Sequence, residues 1–311
     1  MIQLRIPATT ANLGPGYDCM GLALDLWNTF ELRLSGPPGS VEVASYGEGA
    51  GALPTDDSNL IVQILKSELG KRWDKLPAGL SVACHNGIPV MSGLGSSSTA
   101  VLAGVAFAEA LSSATDPDGF DPESLDLDQV LQRAFEIEGH GDNVGPAVRG
   151  GLMLIMASDL GLILRQVPFA PFRVVVCVPE YAYPTTRARE RLPKEVAHGD
   201  AVFNVGRAMF VLQALRDGDD DLLRRAMEDR LHEPYRLPDI PGARAAKRAA
   251  KQNGAIAVCL SGAGPGMLAF THRDHAAIGQ AMQQAFAGEG LSSRWWVLDA
   301  IDRGIEVRRL P

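Results

Sequence analysis

Residues 88–111 read IPVMSGLGSSSTAVLAGVAFAEAL, and the rest of the chain is best understood outward from them. Gly93, Gly95, Ser96, Ser97 and Ser98 are poor helix formers and read together as a loop. The run that follows is rich in Ala, Val and Leu and carries no charge before Glu109, the composition of a buried helix. A glycine-serine loop ahead of such a helix brings free backbone N–H groups and the positive end of the helix dipole to one point, which suits a phosphate. No Gly-Lys-Ser/Thr follows, so this is not a Walker loop. The third glycine of a dinucleotide fingerprint is also missing. Taken alone, a Gly-x-Gly is more often a flexible loop on a core helix, so other parts of the chain have to decide.

The chain has 311 residues, 46% of them hydrophobic and 21% charged, enough for two ordinary domains with real cores. A net charge of −8 argues against nucleic acid and anionic membrane as partners. Cys19, Cys84, Cys177 and Cys259 form no Cys-x-x-Cys pair, which argues against a zinc site or disulfide framework and fits a reducing compartment. The first residues, MIQLRIPATT, lack the apolar stretch of a secretion signal. The longest apolar run, GLMLIMASDLGLIL, is broken by Asp159. A cytoplasmic protein is the expectation.

Alternation predicts strands at residues 2–6, from Thr29, from Ser40 and from Gly79, with a helix from Asn59 to about Gly70. TDPDGFDPESLDLD, from Thr115, reads as a solvated acidic connection into the helix DQVLQRAFEIEG, and RGGLMLIM as a strand. Beyond Pro168 the pattern restarts. FRVVVCVPE reads as a strand, residues 200–217, DLLRRAMEDRL and PGARAAKRAAKQNG as helices, and AIAVCLSGAGPGMLAFTH as two strands about a glycine turn. HAAIGQAMQQAFAGEG is then a helix before a last strand, RWWVLDA. Two domains, 1–160 and 161–311, are expected, joined near residues 157–172.

Three further elements carry chemistry. SGAGPGM, from Ser261, is a turn whose glycines would let backbone approach a ligand. EIEGHGDNVGPAVRGG, Glu136 to Gly151, crowds carboxylates and an imidazole between glycines. A glutamate there could hold magnesium, and Asp142 or His140 could handle a hydroxyl proton. IPATTANLGPGYDCMGLALD sets Asn12 and Asp18 among small and apolar residues, where a buried polar group needs a partner. Each also reads as an ordinary turn or connection when taken singly.

In this order the four elements resemble the GHMP kinases, over nearly the whole chain. PATTANLGPGYD is similar to that superfamily's first motif, PVMSGLGSSSTA to its phosphate loop, EGHGDNVGPAVRGG to its His-x-Asp-Asn segment and SGAGPGM to its C-terminal glycine motif. TTRARERLP and EPYR resemble the homoserine kinase branch in particular. The resemblance implies an α+β, two-domain fold, with an N-terminal α/β domain carrying a non-Walker phosphate loop and a ferredoxin-like C-terminal domain. It implies ATP and Mg²⁺, a small-molecule substrate such as L-homoserine, and a homodimer as a family expectation.

Carried over by position, Asn59, Pro89, Gly93, Leu94, Gly95, Ser96, Ser97 and Ser98 would hold the nucleotide. Ser97 and Glu138 would hold the metal, with Glu136 as the alternative carboxylate. His140, Asp142 and Asn143 would act at the hydroxyl. Asn12, Asp18, Thr186, Arg189, Arg236 and Gly264 would join His140 and Asn143 in binding the substrate. Homoserine is a zwitterion. Arg189 and Arg236 suit its carboxylate, and Asp18, helped by Asn12, its ammonium. A sugar or mevalonate has no ammonium and so no use for Asp18. A kinase of another small alcohol and an inactive ligand-binding regulator remain as alternatives. The proton on the substrate hydroxyl is taken by Asp142 in one reading. In the other, which the resemblance favours, no side chain acts as base.

Overall fold

The computed structural model describes residues 1–113, 121–159 and 161–311, so Thr115–Phe120 of the acidic connection lie outside the described residues. The elements of the first half run β1 (Ile2–Ala11), β2 (Met20–Leu34), β3 (Val41–Gly47), α1 (Leu60–Leu69), β4 (Leu80–Asn86), α2 (Ser96–Ser113), α3 (Leu127–Glu138), α4 (Val144–Arg149), β5 (Leu152–Ser158) and β6 (Gly161–Val167). The second half comprises β7 (Arg173–Pro179), α5 (Thr185–Glu190), α6 (His198–Asp217), α7 (Asp220–Ala226), α8 (Glu233–Arg236), α9 (Ala243–Gln252), β8 (Ala257–Leu260), β9 (Met267–Thr271), α10 (His275–Ala287), β10 (Ser293–Asp299) and β11 (Glu306–Arg309).

A seven-stranded sheet organises the first half, in the order β11-β1-β2-β4-β3 with β5 on β2 and β6 on β5. The long β2 changes partner along its length. Asn28–Leu34 pair with β4 and Met20–Leu22 with β5, and the β1–β2 register slips between Pro7 and Ala8 where the strand bends. Helices α1 to α4 cover one face, and the uncharged run of α2 is buried between α1, α3 and the sheet, which is why it needs no polar face.

The second sheet is antiparallel, ordered β10-β7-β9-β8. In chain order that is four-one-three-two, with α5 to α9 and α10 as crossovers, the ferredoxin-like arrangement. The division expected between residues 160 and 161 passes through the tip of the β5–β6 hairpin, and the chain returns at its end to add β11 beside β1. RWWVLDA is therefore the last strand of the second sheet and not of the chain. The alternation in EVRR is too short to stand out.

The halves are not joined by a loose hinge. Ala8, Leu13, Leu22 and Leu94 of the first half pack in one buried cluster with Val174, Val211, Leu215, Leu268 and Phe270 of the second. No helix among the described residues is long and apolar enough to cross a membrane.

Candidate active site

A cavity of about 740 Å³ lies between the two sheets, walled by the residues around α2, the α3–α4 connection, the loop after β1, α5, α8 and the β8–β9 turn. The phosphate-loop wall differs from its sequence reading in one respect. Gly95 accepts the first helical bond from the Thr99 N–H (3.0 Å), so Ser96, Ser97 and Ser98 form the first turn of α2. First-turn N–H groups have no helical acceptor, so serine is tolerated there and those donors stay free to face the cavity. Ser97 is exposed on the cavity wall, whereas Ser98 is buried and donates its hydroxyl to Glu138 Oε2 (3.0 Å).

Gly93 and Gly95 have φ of +79° and +73°. A Cβ on Gly93 would stand 2.2 Å from the Ser261 carbonyl oxygen, and one on Gly95 2.2 Å from Thr9 Oγ1. These glycines are therefore required by the approach of protein to protein as well as by their backbone angle. Ser261 donates its hydroxyl to the Gly93 carbonyl (2.8 Å) and Gly266 N–H donates to the Ser92 carbonyl (3.1 Å), locking the two glycine turns together. Gly264, with φ +91°, lines the cavity beside them.

Pro89 and Leu94 do not line the cavity. Pro89 borders a neighbouring depression and accepts the Ser92 hydroxyl, while Leu94 is wholly buried with its carbonyl accepting the Thr9 N–H. Both shape the loop from behind. Asn59 caps α1, accepting from Ile61 N–H (3.0 Å) and donating to the Pro54 carbonyl (2.9 Å), so its amide is spent on holding the cavity wall.

Three titratable groups stand in a chain beyond the serines. His140 Nδ1 lies 3.0 Å from Asp142 Oδ1, and its Nε2 lies 3.5 Å from Glu138 Oε2. Burial opposes the charge on His140, but the two carboxylates outweigh it and raise its pKa. Glu138 faces the cavity, whereas Glu136 is exposed and bound to Arg133 and Gln132. Asn143, next in the chain, accepts the Thr9 hydroxyl at its Oδ1 (2.8 Å).

At the opposite end, Asp18 and Arg189 hold each other through two contacts, 2.9 and 3.1 Å, and Arg189 also donates to the Tyr17 hydroxyl. Sequence reasoning assigned these two side chains to opposite ends of a ligand, and the structure joins them directly. Asn12, buried with φ +71°, donates to the Gly262 carbonyl and accepts the Asp18 N–H, so it sets Asp18 in place. Thr186 is exposed in the first turn of α5 on the cavity wall.

Arg236 is only 1% exposed and lines the cavity, yet no carboxylate stands within ion-pair distance of it among the described residues. It donates to the Ala188 carbonyl (3.2 Å) and lies 3.4 Å from His232 Nδ1. Burial pulls its pKa down. Its neighbour Glu233 is occupied elsewhere, by Lys247 and the Leu260 N–H.

The residues that steady Arg236 escaped the sequence reading, which ran the helix DLLRRAMEDRL through to Leu231. That helix ends at Ala226, and Asp229 accepts from the N–H groups of Leu231, His232 and Glu233 and from Asn204. His232 in turn reaches the Gly14 carbonyl (2.9 Å). An Asp three residues ahead of a His and four ahead of a Glu is the spacing of a cap, and that signal was available in DRLHEPYR.

The description "GHMP kinases N terminal domain" matches residues 59–151, and "GHMP kinases C terminal" matches residues 211–288. A homoserine kinase of Moorella thermoacetica is 38% identical over 292 residues, covering 94% of each chain. One from Aquifex aeolicus is 36% identical with 99% of each chain covered. The crystal structure of homoserine kinase from Cytophaga hutchinsonii superposes with a TM-score of 0.83 at 30% identity, over 99% of this chain and 97% of that one. Two sheets in this topology, with a glycine turn from each meeting over one cavity, define a small-molecule kinase of the GHMP class. Within that class the chain belongs to the homoserine kinase family.

Proposed function

We propose that this protein transfers the γ-phosphoryl group of ATP to the hydroxyl of L-homoserine, giving O-phospho-L-homoserine for threonine synthesis. One observation carries the choice of substrate: a buried guanidinium, Arg236, faces the cavity without a carboxylate partner, beside the Asp18–Arg189 pair. An amino-acid zwitterion satisfies all three. Its carboxylate takes Arg236 and Arg189 in charge-assisted contacts, and its ammonium takes Asp18. The hydroxyl then reaches toward Asn143 and the first turn of α2.

The free N–H groups of Ser96, Ser97 and Ser98 receive the phosphates. Glu138 and the exposed hydroxyl of Ser97 are hard oxygen donors facing the cavity, and Ser98 steadies the carboxylate. Magnesium is ordinarily held by one or two carboxylates with phosphate oxygens, so this donor set fits it. When bound, the ion neutralises charge on the phosphates. The substrate oxygen bonds to the γ-phosphorus as the bond to the bridging oxygen breaks, and ADP departs with that oxygen. Transfer of this kind passes through a loose transition state, so the hydroxyl proton can pass to the phosphoryl oxygens. The Asp142 carboxylate, already held by His140, supports a mechanism without a dedicated base. The four free cysteines fit a reducing compartment and a cytoplasmic enzyme.

A coupled assay of ADP release with homoserine, mevalonate and galactose tests the reading. Turnover with homoserine is expected. Preference for either alternative would overturn the substrate, and binding without turnover would identify a regulator. In the same assay Asp142→Asn should keep much of kcat, whereas loss of a general base would cost about 10²–10⁴-fold. A thousandfold drop with an intact circular dichroism spectrum would make Asp142 the base.

A further inference from the structure

Thr9 lies on β1 behind the cavity wall and does not line it. It is 1% exposed and touches three parts of the site at once. Its N–H donates to the Leu94 carbonyl of the phosphate loop (3.1 Å), and its hydroxyl sits directly under Gly95, at 2.2 Å from where a Cβ would stand. That same hydroxyl donates to Asn143 Oδ1 at 2.8 Å.

Asn143 shows why this contact matters. It occupies the position before α4, where an asparagine side chain ordinarily accepts a backbone N–H, yet it makes no such cap. Its side chain is turned to Thr9 instead, and it lines the cavity. A hydroxyl can meet either end of an amide, so what this contact fixes is the place of the Asn143 side chain at the cavity wall. From this we infer that Thr9 is a positioning residue: its hydroxyl holds the Asn143 side chain in place at the cavity wall, where it meets the oxygens of the reaction. It also fixes the separation between that side chain and the phosphate loop.

The inference rests on the kinase reading above, and the test separates the two. Thr9→Val keeps the shape and removes the hydroxyl, so kcat with homoserine should fall about 10- to 100-fold, the loss expected of a group misplaced by about an ångström. KM for ATP should stay near that of the wild type. Thr9→Ser restores the donor and should recover most of the loss. In an Asn143→Ala background Thr9→Val should add little, because a residue acting only through its partner is silent once the partner is gone. Full kcat in Thr9→Val would overturn the role. So would losses that multiply in the double variant, or a Thr9→Ser enzyme as impaired as Thr9→Val. A wild-type enzyme inert toward homoserine would remove the kinase reading and this inference together.

Discussion

Arg189 holds Asp18 through two contacts while both face the cavity, so on the proposed reading a zwitterion would have to part them and replace each partner with a group of its own. A ligand carrying only the ammonium or only the carboxylate leaves one of them unpaired, and the cost of an unpaired charge is what makes such a site selective. Arg189→Ala should therefore raise KM for homoserine and leave KM for ATP nearly unchanged. The Arg189 side chain is 38% exposed, which places the loss at the low end for a charged contact, about 2 kcal/mol or roughly 30-fold. Steady-state kinetics with each substrate varied in turn gives the answer. An unaltered homoserine KM would take Arg189 out of the site.

The start of α2 works as a unit of backbone. Its serines offer N–H groups to a phosphate only if Gly95 turns the chain at φ +73° and lies flat on Thr9. A β-branched side chain fails both conditions. Gly95→Val should abolish nucleotide binding by calorimetry, whereas Ser97→Ala should fold normally, bind nucleotide and lose turnover together with magnesium dependence. Nucleotide binding that survives Gly95→Val would mean the phosphates sit elsewhere.

The two halves of the molecule share one apolar core, and their polar seam is closed by Asp229. Asn204 bonds both Asp229 (2.7 Å) and the Pro15 carbonyl (3.1 Å), so the turn that presents Arg236 is tied to the loop that presents Asp18. Burial works against the Asp229 charge, but the His232 imidazole, the Asn204 amide and the backbone N–H groups of His232 and Glu233 outweigh it and hold its pKa below the ordinary 3.8. With the folded value below the unfolded one, Asp229 stabilises the protein above that range, and the contribution is lost as pH falls through the lowered pKa. Asp229→Asn puts an NH₂ against backbone donors and should cost about 2–3 kcal/mol at pH 7. The gap in Tm between variant and wild type should then narrow toward pH 3. An unchanged Tm at pH 7 would deny the seam its role.

Composition and local pattern were enough to place most of the strands, the buried helix and the glycine turns, because each depends on periodicity or on backbone freedom within a few residues. Asn12 and Asp18 stood out as candidates too, as polar groups set where the chain is otherwise small or apolar, whereas Glu138, Arg189 and Arg236 were picked out only through the family resemblance. Tertiary structure alone decided how they meet. Thr9 and Asn143 are 134 positions apart, Asp18 and Arg189 are 171, and His232 reaches a carbonyl 218 positions away. No local rule encodes such pairings. They arise when two sheets with separate hydrogen-bond patterns close on a common core and leave their loop side chains only each other as partners.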